Sequence, residues 1–145
     1  QSEDLSSVDM GEYIDALVTS LRALHGHASV VQIHVNAAPL DITVATPCGL
    51  IINELITNAM KHAFDDRVPV ESPRISVELV LEDGAHRLTV ADNGRGYARD
   101  GGAGVTASLG MHIVEILVAQ IGGTLSIVTG AASRLGRGSE FTVTF

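Results

Sequence analysis

The sequence predicts an α/β protein in which helices cover one face of a mixed, mostly antiparallel sheet, giving a two-layer α/β sandwich. Its 145 residues are 46% hydrophobic and 18% charged, which is the composition of one compact domain of ordinary size. Segments with a helical apolar period are interspersed with segments of strand-like alternation. Because several neighbouring strands are joined by short turns, much of the sheet should be antiparallel. We therefore expect residues 1–145 to form a single domain, with residues 1–26 as a leading helix.

The first half of the chain predicts two helices and one strand. Residues 9–25 form a helix that ends at Gly26, and residues 30–35 alternate as a strand. A longer helix is predicted over residues 47–64, because Pro47 suits a first helical turn and Thr46 can cap it. The apolar stripe of the first helix consists of Ile14, Leu17, Val18, Leu21 and Leu24.

The second half predicts two antiparallel hairpins separated by a loop and a helix. Asp83 and Gly84 form the turn of the first hairpin, and Gly122 with Gly123 stops the helix. The glycine-rich stretch 93–107 is a long loop, and such loops are often functional in compact domains. The predicted elements are strands 74–81 and 87–91, a helix over 109–121, and strands 124–129 and 140–145.

Charge and composition exclude several classes of protein. A formal net charge of −8 argues against a nucleic-acid surface, which needs clustered basic residues. The single cysteine, Cys48, permits no internal disulfide. No apolar run approaches the length needed to cross a bilayer, and the sequence does not open with a basic stretch followed by an apolar one. We therefore expect a cytoplasmic domain without membrane contact.

The predicted long helix carries an unusual polar stripe. At the helical period, Glu54, Asn58 and Lys61 share one face, with His62 at its margin. Apolar residues border that face, so a buried stripe would need polar partners, which a bound ligand could supply. An ordinary solvated helix face remains an equally good interpretation at this point. The bordering residues are Ile51, Leu55 and Met60.

Two glycine-containing segments could form a nucleotide site. Asp92 ends a predicted strand beside Gly94 and Gly96, where a carboxylate can accept a hydrogen bond from an amino group. The helix that begins near Ser108 offers unpaired backbone amides to an anion. Each segment also has a simpler interpretation. The first could be an ordinary tight turn, and the second a flexible linker before an amphipathic helix.

Two common nucleotide motifs do not explain these segments. Lys61 is the only lysine and follows Met60, so the phosphate-binding sequence GxxxxGK[ST] is absent. Gly102, Gly104 and Ala107 match the spacing GxGxxA, but no strand immediately precedes them and they lie outside a βαβ unit. This match is interpreted as chance.

In order, the three segments resemble the N, G1 and G2 boxes of the GHKL ATPase superfamily. This superfamily includes gyrase, the MutL repair protein, heat-shock chaperones of the ninety-kilodalton class and histidine kinases. Residues 53–64 have the form NELxTNAxKHAF, which is similar to the N box of some histidine kinases. The resemblance implies the Bergerat fold, with ATP and Mg²⁺ bound between the helices and a glycine-rich lid.

The resemblance also implies roles for individual residues. Asn58 would bind Mg²⁺, and Lys61 with His62 would contact phosphate oxygens. Asp92 would hold the adenine amino group, while Gly94 and Gly96 let the backbone approach the base. Glu54 would act as a general base or orient Mg²⁺. Further contacts to the nucleotide are expected from Ser108, Leu109, Gly110, Met111 and Ser139, of which Ser108 and Ser139 replace the commoner Gly and Thr.

None of the six histidines lies in a predicted helical hairpin that resembles a phosphoacceptor site. The resemblance therefore implies a catalytic domain that donates phosphate to a histidine on upstream dimerisation helices, for relay to a response regulator. An anti-sigma-type serine kinase would share the ATP site and remains an alternative. A non-catalytic adaptor with the same fold is a second alternative.

Overall fold

The structure is a computed structural model that describes residues 6–25, 30–63, 72–96 and 109–145, with only the backbone of residues 62 and 63. Expectations for the remaining residues, Ser108 among them, lie outside the described part of the chain. The elements in order are β1 (Ser7–Val8), α1 (Met10–His25), β2 (Val30–Asn36), β3 (Leu40–Asp41), α2 (Ile42–Asn58), a π-helical turn (Ala59–Ala63), β4 (Arg74–Glu82), β5 (Ala85–Asp92), α3 (Leu109–Gln120), β6 (Thr124–Thr129), a 3₁₀ turn (Gly130–Ala132) and β7 (Ser139–Thr144).

The main sheet is mixed and mostly antiparallel, as predicted. Its five strands have the order β2-β4-β5-β7-β6. Strands β2 and β4 pair in parallel, whereas the other three pairings are antiparallel. The short strands β1 and β3 pair separately. Asp83 and Gly84 turn the β4–β5 hairpin with positive φ angles of 52° and 79°, as expected of a tight hairpin turn.

The core lies between one face of this sheet and the three helices, so the predicted two-layer sandwich is confirmed. Alternate residues of the central strands point into the core, and buried apolar residues of α1, α2 and α3 cover them. Leu24, which was predicted to belong to the apolar stripe of α1, is 76% exposed. Among the described residues, no helix is long and apolar enough to span a membrane. The most deeply buried side chains include Ile14, Ile51, Ile52, Ile56, Val77, Leu79, Leu88, Val114 and Val143.

The predicted start of α2 at Pro47 is wrong. The helix begins at Ile42, and its N-cap is Asp41, whose carboxylate accepts a hydrogen bond from the Thr43 backbone amide at 2.9 Å. Aspartate is among the best N-cap residues. Pro47 lies inside the helix and is buried. The sequence interpretation gave Pro47 too much weight as a helix start and overlooked the cap six residues before it.

The end of α2 also differs from a regular α-helix. The last turn, Ala59–Ala63, is π-helical, which places more residues in each turn than an α-helix does. Lys61 lies in this turn and is exposed. The uniform helical period that placed Lys61 on the face of Glu54 and Asn58 therefore stops at Asn58.

Candidate functional site

Helices α2 and α3 bring two of the predicted site segments together. The Asn58 side-chain amide donates a hydrogen bond to the Met111 sulfur at 3.7 Å. One turn earlier on α2, the Glu54 carboxylate packs against Gly110 so closely that a methyl group on Gly110 would overlap it. Glu54 and Asn58 thus face the beginning of α3, the end of a helix at which backbone amides can bind an anion. Glu54 and Asn58 are both half-buried, so they do not lie on a fully solvated helix face.

For three other predicted site residues near this contact between α2 and α3, the structure gives less detail. Lys61 is exposed, which leaves its ammonium group able to meet an anion from solvent. His62 is described only by its backbone, in the π-helical turn. Leu109 begins α3 and its side chain is 74% exposed, so only its backbone amide is a candidate contact.

Asp92 is a buried carboxyl group at the end of β5. Its side chain is 5% exposed, and removal from water raises its pKa from 3.8 to about 6. Backbone hydrogen bonds from Gly94, at 2.9 Å, and from Ser139 oppose this rise. A carboxylate held by two backbone donors in a buried position can still accept a hydrogen bond from a ligand's amino group.

The turn after Asp92 is fixed from the opposite side by Asn93. The Asn93 side chain accepts a hydrogen bond from the Arg74 amide at 2.7 Å and donates one to the Ser72 carbonyl at 2.9 Å. Its own backbone amide donates to the Arg74 carbonyl at 3.2 Å. Gly96 then has a φ of 92°, which favours glycine. The Asp92 turn is therefore anchored to the start of β4.

Comparison with known proteins identifies the family. A family model described as histidine kinase-, DNA gyrase B-, and HSP90-like ATPase matches residues 43–145, which include every residue placed above in the candidate site. The chain belongs to this family. The sequence resemblance to GHKL ATPases is thereby confirmed.

Individual relatives of this ATPase domain are histidine kinases. Blue-light-activated histidine kinase 2 of Erythrobacter litoralis is 30% identical over 134 residues, which are 88% of this chain and 37% of that protein. The solved histidine kinase domain of the Erythrobacter litoralis blue-light activated kinase matches with a TM-score of 0.81 at 24% identity, covering 99% of this chain and 69% of that one. The chain thus spans little more than a third of the length of the curated relative.

More distant structures share the fold. The Acinetobacter baumannii histidine kinase AdeS matches with a TM-score of 0.73 at 16% identity, covering all of this chain and 68% of that one. At such low identity the likeness concerns the backbone arrangement. It agrees with the two-layer architecture of the five-stranded sheet and the helices that cover it.

The structure also gives this ATPase site two residues whose part in it the sequence analysis missed. Gly138 has a φ of 83°, and a side-chain carbon there would overlap the Asp92 main-chain carbonyl. The Arg137 side chain donates to the Gly94 carbonyl at 3.4 Å. Both residues precede Ser139, which pairs with Asp92 across β5 and β7. Their contacts with Asp92 and Gly94 depend on that strand register, because these partners lie over forty residues away along the chain.

Proposed function

We propose that this chain binds ATP with Mg²⁺ and transfers the γ-phosphate to a histidine on a separate pair of dimerisation helices, for relay to a response regulator. The observation that supports this best is the buried Asp92 carboxyl group in an ATPase fold whose named relatives are histidine kinases. The same relatives leave the serine-kinase and adaptor alternatives with less support. A cytoplasmic location is part of this proposal.

Base recognition is assigned to the end of β5. The Asp92 carboxylate accepts a hydrogen bond from the adenine amino group, which guanine lacks at that position. The buried backbone of Gly94 and the side-chain-free Gly96 let a flat ring approach closely. Because Ser139 and Gly94 each donate a backbone hydrogen bond to the carboxyl group, its orientation is set before the base arrives.

Phosphate binding is assigned to the beginning of α3. Leu109, Gly110 and Met111 form the first turn of α3, and the helix dipole favours an anion at this end. Ser108 would join them at the helix start. Lys61 and His62 would meet the phosphate oxygens from the end of α2, with the exposed ammonium of Lys61 supplying positive charge.

The residues present fit a magnesium ion that is bound jointly with phosphates. Among the described residues there is no cluster of three or more His, Cys, Asp or Glu side chains, so the ion would not have an all-protein cage. Magnesium commonly takes only one or two protein oxygens together with phosphate and water. The Asn58 amide oxygen would be that ligand, since the amide nitrogen donates to the Met111 sulfur. When bound, Mg²⁺ would neutralise phosphate charge.

Glu54 is the candidate for proton transfer or for orientation of the metal and its waters. It is one helical turn from Asn58 and contacts the phosphate end of the site at Gly110. A carboxylate in this place can accept a proton from an incoming imidazole or a hydrogen bond from water.

The first experiment is calorimetry of ATP binding with and without Mg²⁺. We expect binding that Mg²⁺ strengthens and that both Asn58→Ala and Asp92→Asn weaken. The exposed Asp15→Asn, on α1, is a matched control and should leave affinity unchanged. Absence of binding at millimolar ATP would contradict the proposal.

Phosphate transfer needs a second test, because the acceptor is assigned to another part of the kinase. The chain should phosphorylate a supplied histidine-bearing helical hairpin from the full-length protein, and Glu54→Gln should slow transfer more than it weakens ATP binding. Rapid phosphorylation of the chain on one of its own histidines would contradict the assignment of a separate acceptor.

A further inference from the structure

The β6–β7 loop, residues 130–138, folds across the face of the sheet opposite the helices. Arg134 in this loop donates to Glu78 of β4 at 3.0 Å, and its guanidinium lies 3.8 Å from Glu140 of β7. The Arg134 backbone amide also donates to Glu140 at 2.7 Å. Because β5 lies between β4 and β7, the Arg134 side chain spans β5.

This crossing covers the part of β5 that leads to the site. Thr89 and Ala91 point to the face opposite the helices, since Leu88 and Val90 point into the core. Both are nevertheless only 1% exposed. The loop and the Arg134 contacts therefore close the outer face immediately before Asp92.

The same loop reaches the Asp92 turn at its other end. Arg137 donates to the Gly94 carbonyl at 3.4 Å, and Gly138 packs against the Asp92 main chain without room for a side chain. The loop is also internally fixed, because the buried Ser133 hydroxyl lies 2.9 Å from both the Gly130 and the Arg137 carbonyl oxygens. A displacement of the loop would consequently move the backbone against which Asp92 rests.

We propose that the β6–β7 loop is a specificity-determining brace for the base site. Arg134 fixes the loop to the back of the sheet, and Arg137 carries that constraint to the Gly94 carbonyl. Together they set the orientation of the Asp92 carboxylate, and thus how strictly the site selects adenine over guanine. Both arginines are positioning residues, and the selectivity part rests on the proposed ATP-binding function.

The brace itself is tested without nucleotide, by hydrogen exchange of the Gly94 amide measured by NMR. Gly94 donates to the Asp92 carboxylate, so its exchange reports the local order of the turn. Arg134→Ala and Arg137→Ala should each speed this exchange by about fivefold, the size expected from loss of one weak constraint. Arg87→Ala is the matched control, because it removes an ion pair of 2.7 Å with Glu82 that does not involve the loop.

A double-mutant cycle tests whether Arg134 acts through Glu78. Glu78→Gln should speed Gly94 exchange in the unmodified background and have little further effect in Arg134→Ala. Additive effects of the two changes would show that Arg134 does not act through Glu78. If Arg134→Ala and Arg137→Ala both exchanged at the rate of Arg87→Ala, the proposal that the loop braces the Asp92 turn would be wrong.

Selectivity is tested by the ratio of ATP to GTP affinity. Both loop variants should lower this ratio by about threefold to tenfold while their thermal unfolding stays close to that of Arg87→Ala, since partly exposed ion pairs add little stability. An unchanged ratio would overturn the specificity role. If the unmodified chain failed to bind ATP, the proposed function and the selectivity role would both be wrong. The hydrogen exchange of the Gly94 amide would still show whether the loop braces the Asp92 turn.

Discussion

Lowering the pH should weaken ATP binding through the Asp92 carboxyl group. Burial raises the pKa of Asp92 to about 6 in the nucleotide-free protein. The ionised form is the better acceptor for the adenine amino group, so nucleotide binding should favour ionisation and lower this pKa. At pH 5 about nine in ten of the free sites would be protonated, which raises the dissociation constant about tenfold relative to pH 7.5.

The assay is a calorimetric titration with ATP and Mg²⁺ at half-unit steps between pH 5 and pH 7.5. ATP phosphates also titrate in this range, so the Asp92→Asn variant serves as the control for the nucleotide's own contribution. Its binding should be weaker throughout, and its profile should lack the additional loss below pH 6. Parallel profiles for the two proteins would refute the assigned role of the carboxyl group.

In the absence of nucleotide, the Asp92 carboxyl group should make the folded protein more stable as the pH falls, whereas ATP binding weakens. Because the folded pKa lies about 2 units above 3.8, the folded protein binds more protons than the unfolded chain between pH 4 and pH 6. The ionised carboxyl group therefore costs about 3 kcal/mol of stability above pH 6, and this cost is relieved progressively as the pH falls from about 6 to about 4. In denaturant titrations, Asp92→Asn should remove this component of the pH dependence.

Three substitution or labelling experiments test the packing around the site. Gly138→Ala should destabilise the protein by about 3 kcal/mol, because the new methyl group would overlap Asp92 and the backbone there is left-handed. Gly136→Ala, with a φ of 82° and open space around it, is the control and should cost only about 1 kcal/mol. Equal losses of stability in thermal unfolding would contradict the overlap at Gly138. Cys48 should resist maleimide until the protein unfolds, since burial raises the pKa of its thiol to about 12 and little thiolate is present; rapid labelling in the folded state would show that the core is open there. Thr89→Val should lower the free energy of unfolding by less than about 1 kcal/mol, or should raise it, because among the described residues the buried Thr89 hydroxyl has no hydrogen-bond partner. A loss of stability above about 2 kcal/mol in urea denaturation would reveal a hydrogen bond to that hydroxyl.

Much of the fold was predictable because its signals are local. The β4–β5 hairpin follows from alternation around an Asp-Gly turn, and α3 follows from its apolar period and the glycines after it. The start of α2 was missed because Pro47 and Asp41 gave competing signals, and the side-chain cap at Asp41 prevailed. The π-helical turn could not be foreseen, because an apolar period averaged over a long helix does not report a change in its last five residues.

The candidate site, like the fold, was predictable only where the sequence carries a local signal. The contact of Glu54 with Gly110 agrees with the polar stripe on α2 and the glycine at the start of α3. The role of the β6–β7 loop depends on the register of β5 with β7 and on arginine contacts across strands. Neither has a local sequence signal, since an arginine in a turn reads as an ordinary surface residue.

The parallel pairing of β2 with β4 has a consequence for how the chain reaches its native state. Val30 pairs with Arg74, and α2 lies between the two strands in sequence, whereas β4 meets β5 across a two-residue turn. Closing the longer segment costs more chain entropy before any contact is gained. The β4–β5 hairpin, which ends in Asp92, should therefore form early in folding, with β2 joining its outer edge late.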